Sequence, residues 1–160
     1  MDVRTAQPAD LAALTTLWHD GWQDAHAALL PRALARHRTL ESFRARLHAA
    51  MDNVRVVGPV GDPDGLCITR DDEVNQLYVA ARARGKGVAA ALLVDAETRL
   101  AAAGVTLAWL ACAIGNTRAA RFYEKHGWRR VGSAVIHLNT PEGNVPLEVW
   151  RYDKPLAAPS

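Results

Sequence analysis

The residues best suited to chemistry form a short basic segment that contains two glycines. Arg82, Arg84, Gly85, Lys86 and Gly87 follow an apolar run and directly precede a helical pattern. Glycines allow the backbone to approach a ligand closely, and the first turn of a helix presents free N–H groups at the positive end of the helix dipole. Together with three cationic side chains, this arrangement predicts an anion site suited to a phosphate or a pyrophosphate. The alternative is a plain tight turn with solvated arginines.

Three types of phosphate-binding loop compete for this segment. A Walker A loop requires Ser or Thr after its lysine, and Gly87 follows Lys86, so that loop is excluded. A dinucleotide loop would read residues 85–90 as G-x-G-x-x-A, but it also requires an acidic residue at the end of the next strand, and the strand that ends at Ile114 has none. A loop that binds the pyrophosphate of an acyl-CoA is the third interpretation.

Two sequence blocks carry a resemblance to a known family. The segment Arg82-Ala-Arg-Gly-Lys-Gly87 resembles [Q/R]-x-x-G-x-[G/A], the acetyl-CoA signature of the GNAT N-acetyltransferase superfamily. The segment Asn116-Thr-Arg-Ala-Ala-Arg-Phe-Tyr-Glu-Lys-His-Gly-Trp128 resembles the family's second block, N-x-x-A-x-x-[FL]-Y-x-x-x-G-[FW]. The two blocks occur in the family's order, and the resemblance covers roughly residues 2–152.

The resemblance implies a fold, a cosubstrate and a set of binding positions. The fold is α/β (an α+β mixed sheet) of the GNAT type, with a central mixed sheet flanked by helices and a V-shaped splay between the fourth strand, at about 74–79, and the fifth, at about 105–113. The cosubstrate is acetyl-CoA, whose pantetheine arm lies in the splay. The positions that match the family's cofactor-binding residues are Leu77, Tyr78, Val79, Arg82, Arg84, Gly85, Lys86, Gly87, Val88, Ala89, Asn116 and Arg121.

Tyr123 in the second block is the first candidate catalytic residue. The resemblance places its hydroxyl beside the CoA sulfur, whereas its helical spacing with neighbouring apolar residues also suits a core aromatic. Ordinary pKa values of about 10 for tyrosine and about 8.5 for a thiol make full proton transfer to the thiolate unfavourable by about 2 kcal/mol. Hydrogen bonding to the developing negative charge is therefore the expected role.

The candidate general base is Glu73. Many GNAT enzymes carry an acid directly before the segment that corresponds to Leu77-Tyr-Val79, and this sequence has Gln76 there, which cannot accept a proton. Glu73 lies three residues earlier, on the opposite face of the strand by strict alternation unless a bulge resets the phase. The alternative is an exposed turn acid.

The acceptor is expected to be a primary amine of a small molecule, a peptide or a protein. Trp18, Trp22 and His26 lie where GNAT proteins build their variable acceptor pocket, although core packing equally explains two tryptophans one helical turn apart. No HxxxH or HExxH spacing occurs, so the sequence predicts no metal site. Two other functions remain open: a noncatalytic acyl-CoA-binding regulatory module and a dinucleotide-binding protein.

The elements that must position these residues follow the order β-α-α-β-β-β-α-β-α-β-β. Thr39 and Asn116 or Thr117 are expected helix caps, Asp10 another, and Gly104 a helix stop. A chain of 160 residues with 49% hydrophobic and 22% charged residues suits one domain, predicted over 1–154, with a flexible tail over 155–160.

Charge and cysteine usage limit the partners and the compartment. A net charge of +2 gives no reason to expect nucleic acid, and no apolar run is long enough to predict a membrane span. Two widely separated cysteines predict no disulfide framework, which suits a cytoplasmic and reducing compartment, and the composition suggests a bacterial source. The C-terminal hairpin offers an edge for a possible homodimer.

Overall fold

The computed structural model describes residues 1–157 and shows five helices and seven strands within them. The helices are α1 (Leu11–His26), α2 (Arg32–Ala35), α3 (Leu40–Ala50), α4 (Val88–Ala102) and α5 (Thr117–Lys125). The strands are β1 (Val3–Thr5), β2 (Val54–Val57), β3 (Gly65–Arg70), β4 (Glu73–Val79), β5 (Leu107–Ala113), β6 (Arg129–Thr140) and β7 (Gly143–Pro155). Short 3-10 turns occupy Pro8–Asp10, Met51–Asn53 and Ala81–Ala83.

The strands form one mixed sheet in the order β1-β2-β3-β4-β5-β7-β6. Only β4 and β5 pair in parallel, and every other neighbouring pair is antiparallel. This topology confirms the predicted mixed α/β sheet. The first two residues of the predicted tail are held by the sheet, because Pro155 belongs to β7 and the N–H of Leu156 donates to the carbonyl of Thr106 at 2.9 Å. Residues 158–160 of that prediction lie outside the described residues.

Helices cover both faces of the sheet, and a hydrophobic core lies on each face. Side chains of β3 point alternately into one core and the other. Cys67 packs with α4, β5 and α5, whereas Leu66 and Ile68 pack with α1 and α3. Trp18 and Phe43 join the second of these cores with their ring centroids 4.9 Å apart. Because successive strand residues point to opposite faces, one apolar strand supplies both cores.

The helix ends follow the sequence signals except at α1. The Thr39 hydroxyl and the Asn116 side chain accept hydrogen bonds from the first turns of α3 and α5, and Gly104 follows α4 with φ +92°. Asp10 does not cap α1 with its side chain, so that prediction is wrong. Its buried carboxylate instead accepts two hydrogen bonds from the Arg4 guanidinium, at 2.9 and 3.0 Å, and one from the N–H of Gly61 at 2.9 Å.

Candidate active site

A gap between β4 and β5 forms the centre of the site. The two strands pair only at Glu73 and Trp109, near the start of β4, and they diverge from there toward their carboxyl ends. The N–H of Trp109 donates to the carbonyl of Asp72 at 3.2 Å and closes the narrow end. The predicted V-shaped splay is therefore confirmed.

The cleft that fills this gap has a volume of about 600 Å³ and extends from β4 and β5 to the loop before α4 and to one side of α5. Among the predicted site residues, those that line it are His26, Leu77, Tyr78, Val79, Arg84, Gly85, Gly87, Val88, Ala89, Asn116 and Tyr123. The cofactor positions are thus mostly brought together in one cavity.

The pairing of β4 with β3 decides which backbone groups of β4 face the gap. The N–H of Ala80 donates to the carbonyl of Asp64 at 2.8 Å, and hydrogen-bonded residues recur at every second position of an antiparallel pair. Tyr78 therefore directs its backbone toward β3, whereas Leu77 and Val79 direct theirs toward β5. In the splayed region these groups have no partner strand.

A bulge in β4 changes the face on which Glu73 lies. Ile68 of β3 pairs with Gln76 and Thr69 pairs with Val74, so Asn75 is an extra residue on β4. One inserted residue reverses the alternation, and Glu73 therefore shares a face with Gln76.

The loop before α4 presents a free cluster of backbone donors. Gly85 and Gly87 have φ values of +77° and +84°, and a Cβ added to either would meet nothing within 4 Å. The N–H of Ala91 donates to the Gly87 carbonyl, so the N–H groups of residues 88–90 precede the first hydrogen bond of α4. The open space and the helix dipole suit an anionic group such as a diphosphate.

One acidic side chain bridges two arginines at the mouth of the cleft. Asp24 of α1 lies 2.7 Å from the Nη2 of Arg84 and 3.7 Å from that of Arg118. The hydrogen bond from Arg84, and then its charge, lower the pKa of this carboxyl. In the free protein, the Asp24 carboxylate therefore offsets part of the positive charge of the two arginines that line the cleft.

Three predicted cofactor residues lie elsewhere. Arg82 points away from the cleft, where it pairs with Asp62 and Asp64 at 2.9 Å each and fixes the turn between β2 and β3. The side chains of Lys86 and Arg121 are exposed and form no part of the cleft wall. Arg82 and Arg84 are only two positions apart in the sequence. The folded structure shows that Arg84 faces the cleft and that Arg82 does not.

Tyr123 lies on the α5 side of the cleft, packed against Phe122, Trp128 and Tyr152. Its hydroxyl has no hydrogen-bond partner among residues 1–157, and burial raises its pKa. Asn116 begins the same helix with its Oδ1 accepting from the N–H of Ala119 at 3.3 Å, which leaves its Nδ2 available as a donor.

Glu73 is buried at the narrow end of the gap and does not line the cleft. Burial raises the pKa of its carboxyl, while a hydrogen bond from Asn75 at 3.1 Å and the charge of Arg70 at 3.6 Å act in the opposite direction. No carboxylate is found among the described residues that line the cleft itself. Because Glu73 is only 8% exposed, the alternative of an exposed turn acid is wrong.

The predicted acceptor residues separate into two groups. Trp18 and Trp22 are only 2% and 5% exposed and belong to the core with Phe43, so they do not form a pocket wall. His26 does line the cleft, with its Nδ1 3.2 Å from the Tyr78 hydroxyl, and burial lowers its pKa to about 4. This imidazole is therefore neutral at pH 7.

Some residues that line the cleft were not predicted from the sequence, and Gly21 is the one with the clearest structural role. A Cβ at this position of α1 would lie 2.6 Å from Cδ1 of Tyr78, so only glycine allows α1 to approach β4 this closely. A glycine inside a helical pattern is the signal that indicates such contact. Cys112 and His126 also line the cleft without a recognisable sequence signal.

Residues 1–157 hold neither a cluster suited to a metal ion nor a membrane-spanning helix. No cluster of three or more His, Cys, Asp or Glu side chains suited to a metal ion occurs there. No helix within that range combines the length and the apolar character needed to cross a membrane.

Comparisons with solved structures show the same fold over nearly the whole chain. A GCN5-related N-acetyltransferase from Rhodopseudomonas palustris superposes with a TM-score of 0.75 at 20% identity, covering 97% of this chain and 95% of its own. The PaiA N-acetyltransferase from Thermoplasma acidophilum, solved with coenzyme A, has a TM-score of 0.67 at 17% identity and covers 96% and 98%. YncA from Salmonella typhimurium, solved with acetyl-CoA, has a TM-score of 0.69 at 19% identity and covers 98% and 94%.

Comparisons of the sequence match a family model but no curated protein. The comparison with curated protein sequences gives no match. A sequence model of the acetyltransferase (GNAT) family matches residues 11–128, which is more than half of the chain and includes both blocks described above. The chain therefore belongs to the acetyltransferase (GNAT) family.

Proposed function

We propose that this acetyltransferase uses acetyl-CoA to acetylate a primary amine of a small molecule or a peptide. The observation that carries the proposal is the continuity of the cleft. The gap between β4 and β5 leads directly to the free N–H groups of residues 88–90. An extended arm that ends in a diphosphate has the shape and polarity to fill this cavity. The PaiA and YncA structures, which contain coenzyme A and acetyl-CoA, support the assignment.

Acetyl-CoA supplies the activated acetyl group when it is bound. The N–H groups before α4 would bind the diphosphate, and the gap-facing backbone groups of Leu77 and Val79 would pair with the pantetheine arm. The Nδ2 of Asn116 would donate to the same arm. Arg84 and Arg118 would exchange their bond to Asp24 for one to a phosphate, which limits the net gain from these ion pairs.

A hydrogen-bond donor at the leaving sulfur would stabilise the negative charge that develops there. The amine nitrogen bonds to the acetyl carbonyl carbon, the carbon–sulfur bond breaks, and a proton must ultimately reach the sulfur. Tyr123 lines the cleft, and its hydroxyl forms no hydrogen bond to another residue of the described chain. Because burial raises the pKa of Tyr123, its hydroxyl is a weak acid. We infer that it donates a hydrogen bond to the developing thiolate instead of releasing its proton early.

The amine must also lose a proton. An alkylamine with a pKa near 10.4 is neutral only about once in 2,500 molecules at pH 7. We propose Glu73 as the acceptor, because the bulge at Asn75 turns it to the face of Gln76 and burial raises its pKa toward that of the amine. Since Glu73 is separated from the cleft wall, the proton would reach it through an intervening water.

The first test combines cofactor binding with a turnover assay. CoA at 100 times its dissociation constant should stabilise the protein by about 2.7 kcal/mol, which for a chain of this size raises Tm by about 5–11 °C. NAD at the same concentration should leave Tm unchanged. A panel of primary amines incubated with acetyl-CoA should release free thiol. A response to NAD without a response to CoA would overturn the cofactor assignment.

A further inference from the structure

Three side chains of β4 form a hydrogen-bonded chain that ends at the cleft. The Nδ2 of Asn75 donates to the Oε1 of Glu73 at 3.1 Å, and the Nε2 of Gln76 donates to the Oδ1 of Asn75 at 3.3 Å. Glu73 is buried, whereas Asn75 and Gln76 are half-buried and line the cleft. The chain therefore runs from a buried carboxylate outward to the cleft wall.

The bulge at Asn75 makes this chain possible. In a regular strand, two successive side chains point to opposite faces and lie too far apart to bond. Asn75 is the extra residue of β4, because β3 pairs with Val74 and with Gln76 but not with it. A bulge interrupts the alternation, and the amide of Asn75 therefore reaches both the carboxylate of Glu73 and the amide of Gln76.

The carboxylate at the buried end sets the direction of both amides. Burial raises the pKa of the Glu73 carboxyl, but the bond from Asn75 and the charge of Arg70 favour its ionised form. An ionised carboxylate has only acceptor oxygens, so Asn75 must turn its NH2 group to Glu73 and its oxygen to Gln76. Gln76 must in turn offer its NH2 group to that oxygen. Its own Oε1 is left as the free end of the chain.

The Oε1 of Gln76 is open to the cleft. No hydrogen bond within residues 1–157 ends at this atom, and packing does not bury it without a partner. Because Gln76 lines the cleft, the oxygen is accessible to a molecule bound there. It is an acceptor with a fixed direction, and it therefore suits an N–H donor of a ligand.

The position of Gln76 suits the amine of the acceptor. The proposed diphosphate site follows the carboxyl end of β4, so an arm that pairs with Val79 and Leu77 would extend back along the strand and bring its sulfur end toward Gln76. Side chains two positions apart share a face, and Tyr78 packs with the core of α1 and α3. Tyr123 packs with the core on the other face. The Gln76 oxygen and the Tyr123 hydroxyl therefore approach the gap from opposite faces, one on the side of the amine and one on the side of the leaving sulfur.

We propose that the Oε1 of Gln76 accepts a hydrogen bond from the amine of the acceptor and holds its nitrogen against the thioester, with Asn75 and Glu73 as positioning residues. This inference rests on the proposed acetyl transfer. The amide oxygen orients the nitrogen without taking its proton, so the proton acceptor proposed above is unchanged. As the nitrogen bonds to the acetyl carbon, its N–H becomes more acidic, and the bond to Gln76 strengthens in the transition state.

Two CoA thioethers of matched shape test this contact without an acceptor or turnover. S-carbamoylmethyl-CoA carries an amide NH2 one methylene farther from the sulfur than the attacking amine, and S-acetonyl-CoA has a methyl group in place of that NH2. Calorimetry gives the Kd of each compound, and of CoA, for the wild type, Q76M, Q76E, N75A and N75A/Q76M. Gln23, exposed on α1 and outside the cleft wall, supplies the control Q23M.

The readout is the ratio of the two Kd values. The carbonyl groups of the two compounds also differ in strength, but that difference is the same in every variant. Q76M should reduce the preference for the carbamoyl compound about 3- to 10-fold, the effect of one neutral hydrogen bond, with the Kd of CoA unchanged. Q23M should keep the wild-type ratio. Q76E should keep it as well, because a carboxylate retains the acceptor oxygen. Loss of the preference in Q76E to the level of Q76M would reduce Gln76 to a structural link to Asn75 and overturn the inference.

The Asn75 variants test the chain behind Gln76. N75A frees the Gln76 amide to rotate and should lower the preference, whereas N75A/Q76M should show the same ratio as Q76M because Asn75 acts only through Gln76. A further loss in the double variant would overturn the positioning role of Asn75. An unchanged ratio in Q76M while CoA still binds would overturn the contact and leave the cosubstrate assignment standing. If CoA and both thioethers fail to bind the wild type, the proposed function fails and the inference fails with it.

Discussion

Replacing Gly87 with valine tests the anion loop most directly, and Gly104 at the other end of α4 supplies a matched control. Both glycines have positive φ values, +84° and +92°, and a Cβ at either position would meet nothing within 4 Å. The backbone strain of a substitution should therefore be similar at the two sites. Only Gly87 lies at the cleft.

The stability cost can be worked from the backbone conformation. A left-handed conformation costs an L-residue about 1–2 kcal/mol. For a chain of this size, 1 kcal/mol corresponds to about 2–4 °C in Tm. Both G87V and G104V should therefore unfold about 2–8 °C below the wild type, with no difference attributable to the cleft.

The effect on CoA binding should separate the two variants. A valine at position 87 would place its side chain in the open space before the N–H groups of residues 88–90. Loss of one hydrogen bond to a charged phosphate costs about 1.5–3 kcal/mol, which corresponds to about a 10- to 150-fold increase in Kd. Gly104 is at the far end of the helix, so G104V should bind CoA with the wild-type Kd.

Calorimetric titration of CoA into the three proteins is the assay, at a temperature at which thermal unfolding shows all of them folded. The reasoning is refuted if G87V keeps the wild-type Kd, because the loop would then not contact the diphosphate. It is refuted equally if G104V loses as much affinity as G87V. In that case the loss would follow from general strain in α4 and not from the site.

Three other changes test the remaining chemistry. Tyr123→Phe should lower kcat and kcat/KM together by about 10²- to 10⁴-fold with the Kd of CoA unchanged; near-wild-type turnover in steady-state kinetics would make Tyr123 only a core aromatic. Glu73→Gln should lower kcat/KM and remove the acidic limb of its pH profile, whereas an unchanged profile would assign the proton to water or to His26. Hydrogen bonds from Arg4 lower the pKa of Asp10 to about 2, so its carboxylate should stabilise the fold above about pH 4 and lose that contribution as the pH falls toward 2. Thermal unfolding across this pH range should show the loss in the wild type and not in D10N; identical pH dependence would contradict the assignment.

The sequence by itself determined the parts of the site that depend on local structure. The glycines at 85 and 87, the helix that begins directly after them and the cap at Asn116 are all encoded within a few residues. Positive φ values, helix starts and side-chain caps require no distant partner. For this reason the anion loop, the second block and the family could be predicted before any tertiary contact was known.

Only the tertiary structure decided which side chains face the cleft. Helical spacing groups Trp18 and Trp22 on one face of α1, but it does not say that Phe43 covers that face. The bulge at Asn75 is defined by the register with β3, and that register decides the face of Glu73.

The pairing of charged side chains could not be predicted from the sequence either, because it joins residues far apart in the chain. Arg82 pairs with acids about twenty positions away and leaves the cleft, whereas Arg84 pairs with Asp24 and borders it. Packing buries Arg38, which is 6% exposed and forms no ion pair within residues 1–157. A sequence fixes which charges exist and how they are spaced locally. The desolvation of each charge, and the presence or absence of its partner, arise only when the elements pack together.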